Sequence, residues 1–357
     1  IYRFAGKEFN INSTKQLGEV LFEELLLPCR KKTKTGYSTD NEVLESLAGF
    51  HPIVDNVIVY RKLTKLKSTY VEGLIKTIAD DGRIHSKFTQ TVTQTGRISS
   101  IEPNLQNIPV RTELGRQLRK AFVAEDGNLL IDADYSQIEL RLLAHISGDK
   151  TMQKAFCDGV DIHTVTASEI FGLPTEMVTA EMRSRAKTVN FGIVYGIGEF
   201  SLSKDLKIPR KEAKRYIESY LATYSGVDSY MKKAVEKAQE TGYVETLFGR
   251  RRYVPELFSK NKQIQAFGQR VCRNTPIQGT AADLIKLAMV RVFDRLEKSG
   301  TGARLILQIH DELIIEAPAE KEKEISEMLK YEMEHAANLS VPLLADVNAG
   351  KTWYESK

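Results

Sequence analysis

Apolar positions between residues 1 and about 80 recur at helical spacing, which predicts a mostly α-helical N-terminal part. Asn12-Ser13-Thr14 offers an N-cap to the pattern running from Lys15 to Phe22. A second periodic stretch spans Thr39 to Ala48, capped by Thr39 or Asp40, and a third runs from about Pro52 to Leu66. The basic, turn-rich stretch Arg30 to Ser38 reads as an exposed loop between helices. From Arg83 to Arg119 the texture changes. Thr89, Thr91, Val92, Thr93 and Thr95 predict β-structure ahead of the polar loop Glu102-Pro103-Asn104. Asn128 to Asp134 reads as a buried strand ending in carboxylates. Residues 140 to 300 return to helical periodicity, broken at Gly172-Leu173-Pro174, Pro209, Gly226 and Gly249. Two apolar runs, Ala303 to Ile309 and Leu313 to Ala317, flank a short polar centre in the manner of a hairpin. A charged helix from about Ala319 to Asn338 and a short terminal strand follow.

At 357 residues the chain exceeds a typical single core, so two or three packed subdomains are expected. Hydrophobic content of 42% with 27% charged residues is ordinary for a globular protein. The 51 Lys+Arg against 47 Asp+Glu leave a net charge of only +4, so the total does not announce nucleic acid. Basic groups do cluster, in Arg30-Lys31-Lys32-Thr33-Lys34, from Arg61 to Lys67 and in Arg250-Arg251-Arg252, though each run also suits a solvated face. Cys29, Cys157 and Cys272 lie too far apart for a zinc pattern or a disulfide framework, which fits a reducing, cytoplasmic setting. No apolar run reaches the roughly 18 residues of a membrane span. Ile1 in place of Met predicts a piece of a longer chain or a trimmed product.

Two acidic sites stand out. Asp134 ends the apolar strand, and Asp311 and Glu312 occupy the centre of the hairpin pattern. Each alone fits an ordinary strand end. Were the two strands neighbours in one sheet, Asp134 and Asp311 would converge at the same edge. Magnesium takes few carboxylates and fills its shell with water and phosphate oxygens. A two-metal site of that kind can activate a hydroxyl and stabilise a leaving pyrophosphate.

A second constellation lies between Met182 and Gly196. Arg183, Lys187, Phe191 and Tyr195 fall at steps of four, so on a helix they line one slowly spiralling face, cations first and aromatics after. Twelve residues rise roughly 18 Å, enough to lie along a nucleoside triphosphate. The cations, helped by the helix dipole, would grip phosphates, and the aromatics would border the sugar and base. The competing reading is an amphipathic helix with its charges in solvent. Gly192 and Gly196 count against it, because they weaken a helix that serves only to pack and suit one that bends or lets a substrate close.

Asp134-Tyr135-Ser136-Gln137-Ile138-Glu139-Leu140-Arg141, the Arg183-to-Gly196 helix and Gln308-Ile309-His310-Asp311-Glu312 resemble the three signature motifs of family A DNA polymerases. Thr95 to Ser100, Pro103 to Arg111 and Pro276 to Asp283 extend the resemblance over nearly the whole chain. It implies an α+β right-hand polymerase architecture with an antiparallel-sheet palm, helical fingers and a truncated helical thumb. The thumb would occupy 1–80, the palm 81–140 and 297–357, and the fingers 141–296. It implies metal ligation by Asp134, Asp311 and the Tyr135 carbonyl, with Glu312 beside them, for two Mg2+ that Mn2+ can replace. Arg183, Lys187, Phe191, Tyr195, His163, Gln137 and Glu139 would meet the incoming nucleotide. In this scheme Glu139 is the steric gate against a ribose 2′-hydroxyl, and Lys187 is also the proton donor to pyrophosphate. On its own pattern His163 reads as a cap or core histidine. Arg97, Asn104, Gln106, Arg270, Asn274 and Gln278 would hold primer and template through minor-groove acceptors common to every base pair. Lys65 and Lys67 would meet duplex phosphates.

The partners implied are primer-template DNA and dNTPs, without a membrane, and with the protein acting as a monomer. Two departures qualify the resemblance. Ser184 stands where some relatives carry a second arginine, and the strand and long helix that open the family's thumb and palm are not found. Proofreading and 5′-nuclease activity are expected to be absent from this chain. Phe191 at the sugar-facing position predicts poor use of dideoxynucleotides. A single-subunit RNA polymerase is the nearest rival, and Glu139 opposes it. A catalytically silent nucleic-acid-binding fragment is a second rival, which the intact carboxylates oppose. A two-metal nuclease would have no use for the triphosphate-length stripe.

Overall fold

The computed structural model describes residues 1–357 except Arg30, Lys34, Thr35 and Arg111. The basic-cluster residues Arg30 and Lys34, and Arg111 at the end of one resemblance block, therefore lie outside the described residues. Contacts divide the chain into two units, one of residues 1–86 with 108–118, the other of 87–107 with 119–357.

The first unit contains α1 (Tyr2–Ala5), α2 (Thr14–Glu19), the pair β1 (Lys32–Thr33) and β2 (Gly36–Tyr37), α3 (Asn41–Ser46), α4 (Pro52–Lys65), α5 (Glu72–Ile75) and α6 (Glu113–Gln117). Side-chain caps explain the helix starts. Ser13 accepts from the Gln16 amide, Asp40 from Val43, His51 from Ile53 and Thr112 from Gly115. Leu17, Leu21, Leu44, Leu47, Ile53 and Val57 form its dry centre. One expectation shifts here and two are sharpened. The stretch Arg30 to Ser38 is not all loop, since β1 and β2 pair antiparallel within it. Asp40, not Thr39, caps α3, because its carboxylate reaches the Val43 amide. α4 passes at Lys65 into a π-helical turn, Leu66–Val71.

The second unit opens with the antiparallel pair β3 (Lys87–Thr89) and β4 (Ser99–Ile101), followed by β5 (Asn128–Tyr135). Then come α7 (Ile138–Ser147), α8 (Lys150–Cys157), α9 (Ile162–Phe171), α10 (Ala180–Val194), α11 (Glu199–Leu206), α12 (Arg210–Thr223) and α13 (Ser225–Thr241). A hairpin, β6 (Tyr243–Glu245) and β7 (Arg251–Tyr253), precedes the 38-residue α14 (Lys262–Ser299). β8 (Arg304–Ile309), β9 (Glu312–Pro318), α15 (Glu322–Glu334) and β10 (Ala345–Gly350) complete it. The central sheet has the order β10-β5-β9-β8, and every pairing in it is antiparallel. One face of the sheet is apolar. Ile131, Ala133, Leu313, Ile315 and Ala317 point into the same core as α7, α13, α14 and α15.

Four elements differ from the sequence pattern. Of the threonine-rich run only Thr89 lies in a strand, because β4 pairs from Ser99 onward and leaves Thr91 to Thr95 in turns. The charged helix α15 ends at Glu334, not Asn338. The break near Gly226 falls at Tyr224, and Gly226 sits in the first turn of α13 against the Asp149 backbone. α10 stops at Val194, so Tyr195 is its C-cap and Gly196 turns the chain away at φ +68. No helix among the described residues is long and apolar enough to cross a membrane.

Candidate active site

The site grows from β5. Side chains alternate along a strand, so Asp132 and Asp134 leave one face while Ile131, Ala133 and Tyr135 leave the other. Register adds to the acidic face. Asp134 stands opposite Glu312 of β9 and Asp346 of β10. Directly opposed residues share a face, so Asp346, Asp134 and Glu312 form a row across three strands, with Asp132 one step behind. Asp311 occupies the two-residue turn between β8 and β9, where His310 holds φ +53. The Tyr135 amide donates to the Asp311 carbonyl at 3.1 Å, pinning that turn to the end of β5. The two aspartates expected to converge are thereby brought together.

Packing carboxylates this closely, and half out of water, shifts their proton affinities. Burial pushes Asp132 up to about 8, with Glu312 adding to the effect. Burial also raises Asp134 and Asp311, which the nearby Lys357 and Arg97 cations respectively oppose. Both carboxylate oxygens of Asp132 are buried without a hydrogen-bond partner.

Facing the acidic row is α10. Asp134, Tyr135, Gln137, His163, Arg183, Lys187 and Phe191 line one cavity of about 350 Å³. Thr179 caps α10 by accepting from the Met182 amide, which places Arg183 and Lys187 in its N-terminal half. Arg183 meets Asp161 at 2.5 Å; burial alone would raise the Asp161 carboxyl, but hydrogen bonds from Arg183, the Thr164 hydroxyl and the His163 amide together hold it down at about 2. His163 is 2% exposed, and burial together with the cations Arg183 and Lys187 lowers it to about 4. Gln137 bends β5 into α7 at φ +56.

Glu139 is buried in the first turn of α7 and receives the Arg97 guanidinium at 2.7 Å. Burial and the Glu139 carboxylate push the Tyr195 phenol up to about 12. Asn274 of α14 donates to the Tyr195 carbonyl at 3.3 Å, and the Arg270 side chain packs against Gly196. Gln106 donates to the Gln308 carbonyl at 3.3 Å, beside the Asp311 turn. Asn104 is exposed and accepts from the Gln106 amide, and Gln278 is half-buried on α14. Lys65 and Lys67 are exposed in the first unit, where Lys67 lies 3.5 Å from Glu72. Gly192 does not open α10 to a ligand. The Ile197 side chain fills the space beside it, 2.7 Å from where a Cβ would stand. Each member of the Arg250-Arg251-Arg252 run has a partner, Arg250 on Asp283, Arg251 on Glu245 and Arg252 on Gln94, while Arg250 and Arg251 stay exposed.

The family model described as DNA polymerase family A matches residues 1–355. The chain belongs to DNA polymerase family A. It is 53% identical to DNA polymerase I of Lactococcus lactis and 54% identical to that of Geobacillus stearothermophilus. Both matches take in all of this chain and 41% of the relative, so the chain spans about two fifths of their length. A solved structure described as the POL domain of Pol1 from M. smegmatis, in complex with DNA primer-template and dNTP, superposes with a TM-score of 0.93. That pair is 45% identical, covering 99% of this chain and 63% of the other. The α+β polymerase fold expected from the motifs is the fold observed.

In this family A chain the sequence reading left out several groups at the site. Asp132 was legible, because the i, i+2 spacing of Asp132-Ala133-Asp134 places both carboxylates on one strand face. Asp346 became visible only through the register of β10. Lys357 donates to Asp134 at 2.9 Å and Glu312 at 2.5 Å, and Trp353 donates its indole N–H to Glu312 at 3.1 Å. No local pattern announces either residue, since their partners lie more than forty positions away.

Proposed function

We propose that this protein is a template-directed DNA polymerase, which moves a deoxynucleotide from a dNTP to a primer 3′ end and releases pyrophosphate. The observation that carries this reading is that the carboxylate face of the sheet and the cationic half of α10 line a single cavity. The relative that binds primer-template and dNTP supports the same substrates. In the proposed division, residues 1–80 act as thumb, 81–140 and 297–357 as palm, and 141–296 as fingers. These residues are assigned the polymerising step alone, without exonuclease chemistry.

The donor set suits magnesium. Among the described residues no three His, Cys, Asp or Glu side chains form a ready-made cage. Magnesium takes one or two carboxylates and fills its shell from substrate and water. Asp132 stands behind the pair with both carboxylate oxygens orphaned, and burial favours its protonated form. Two Mg2+ held by Asp134, Asp311 and the Tyr135 carbonyl would supply activation of the primer hydroxyl and charge stabilisation of the leaving group. Glu312 stands beside them, and Mn2+ can replace either ion.

The chain's own residues do the rest. Lys187 and Arg183 bind the outer phosphates, and Arg183 must share or leave Asp161 to do so. Lys187 gives a proton to departing pyrophosphate. Asn190 donates its amide N–H to His163 Nδ1 at 3.0 Å, which leaves the proton of the neutral ring on Nε2 as a donor to phosphate. Glu139, fixed by Arg97, fills the space a 2′-hydroxyl needs. Phe191 and Gln137 line the cavity, and Phe191 and Tyr195 border the sugar and the base pair. Arg97, Asn104, Gln106, Arg270, Asn274 and Gln278 hold primer and template, and Lys65 and Lys67 meet duplex phosphates.

Primer extension with dNTPs and, separately, rNTPs tests the reading. Magnesium-dependent extension that strongly prefers dNTPs is expected. Tight binding of primed DNA without extension would favour the binding fragment, and equal use of rNTPs would favour the RNA polymerase.

A further inference from the structure

The segment that follows β10 closes over the acidic face of the sheet, and its anchoring is specific. Trp353 is fully buried. Its amide donates to the Phe122 carbonyl at 3.0 Å, its ring meets Phe122 edge-on at 5.4 Å, and the Arg119 guanidinium lies 4.1 Å from its ring centre. Ser356 is also buried, and its amide closes a turn onto the Thr352 carbonyl at 3.1 Å. One turn beyond Trp353, Lys357 is delivered to the carboxylates. Its ammonium bridges Asp134 Oδ2 and Glu312 Oε2, while Trp353 holds the other oxygen of Glu312.

We infer that Lys357 is the resident counter-ion of the catalytic carboxylates, a positioning residue that competes with a divalent cation for Asp134 while keeping Glu312 in place. The inference rests on the metal-ligand reading of Asp134 given above. Asp346, Asp134 and Glu312 stand in one row across the sheet, and like charges so close repel unless a cation lies among them. An ammonium on a flexible four-carbon stem can fill that need and then withdraw from one carboxylate, which a rigid guanidinium fork does less readily. Glu312 keeps its indole donor and its Lys357 contact throughout. The carboxylates are thereby held in place before metal arrives, and the price is a lower divalent affinity.

Mn2+ binding to the protein without DNA or nucleotide, followed by loss of the free-ion paramagnetic resonance signal, tests this independently of activity. Lys357→Ala is expected to tighten Mn2+ binding by roughly fivefold, the scale of one partly exposed ion pair. Lys357→Arg, which keeps the charge and withdraws less readily, is expected to bind Mn2+ no more tightly than the parent. Unchanged or weaker binding by Lys357→Ala, or equal shifts in the Ala and Arg variants, would overturn the inference. A merely structural role for the turn would loosen the carboxylates and weaken binding, the opposite sign. Asp134→Asn marks the site. Should that variant bind Mn2+ like the parent, the metal-ligand reading itself falls and the inference with it. If Asp134→Asn abolishes binding while Lys357→Ala leaves it unchanged, only the inference falls.

Discussion

At the residue scale, each site side chain is set by what its neighbours do to its charge. Lys187 reaches the cavity on the same helix face as Arg183, yet Arg183 is held by Asp161. Lys187 is therefore the better placed to follow charge onto a leaving pyrophosphate. Replacing Lys187 by Leu is expected to slow single-turnover nucleotide addition by roughly 10²- to 10⁴-fold, the usual scale of general-acid catalysis. An undiminished rate would remove that role. His163 carries a second test. Its folded affinity lies at about 4 against an ordinary 6.5, so the unfolded chain binds more protons between those values. Its contribution to stability is complete above about pH 6.5 and is lost as pH falls toward 4. Over that window His163→Gln is expected to lose less stability than the parent, by up to about 3 kcal/mol, in urea unfolding at stepped pH. Parallel curves for the two proteins would show that the ring does not titrate as its burial implies.

At the scale of elements, the legible parts were those in which burial follows local pattern. Asn128 to Asp134 is apolar on both sides of its pleat until the carboxylates, so it reads as a strand without help from the fold. The β8–β9 hairpin is equally plain, because His310-Asp311 interrupts two apolar runs. Thr91 to Thr95 misled, since β-branched residues favour strands only where a partner strand exists, and β4 pairs further on. The end of α10 was misplaced for a similar reason. Gly192 and Gly196 were credited to bending or to substrate approach, whereas Gly192 accommodates Ile197 and Gly196 supplies the positive φ that ends the helix. Gly192→Ala follows directly. In a free helix it would gain roughly 1 kcal/mol of propensity. Here the new Cβ stands 2.7 Å from a β-branched side chain, so overpacking should win and destabilise by roughly 1–3 kcal/mol in thermal unfolding. A stabilised variant would mean that Ile197 moves aside freely.

At the scale of the whole molecule, charge placement matters more than charge total. The net +4 hides a sheet face crowded with carboxylates and a helix carrying cations toward it. Much of the apparent basic surface is internally spent. Arg61 donates to Thr39, and the Arg250-Arg251-Arg252 run is tied to its own unit. Lys65 and Lys67 remain exposed. Affinity for primed duplex should fall steeply with salt, and removing Lys65 and Lys67 together should lower the slope of log K against log salt by about 2. An unchanged slope would take these lysines off the DNA. The acidic cluster itself was only half legible in sequence. Asp134 and Asp311 carry recognisable surroundings, whereas Asp346 and Lys357 join them through sheet register and a closing turn.

The most direct test is single-turnover addition of one dNTP to primed DNA in Mg2+ by the parent, Asp134→Asn and Asp311→Asn, with DNA affinity measured alongside. Each substitution should cost about 4 kcal/mol of transition-state stabilisation, a rate loss of roughly 10³, with DNA binding kept. Rates close to the parent in either variant would contradict the assignment of these two aspartates to the chemistry.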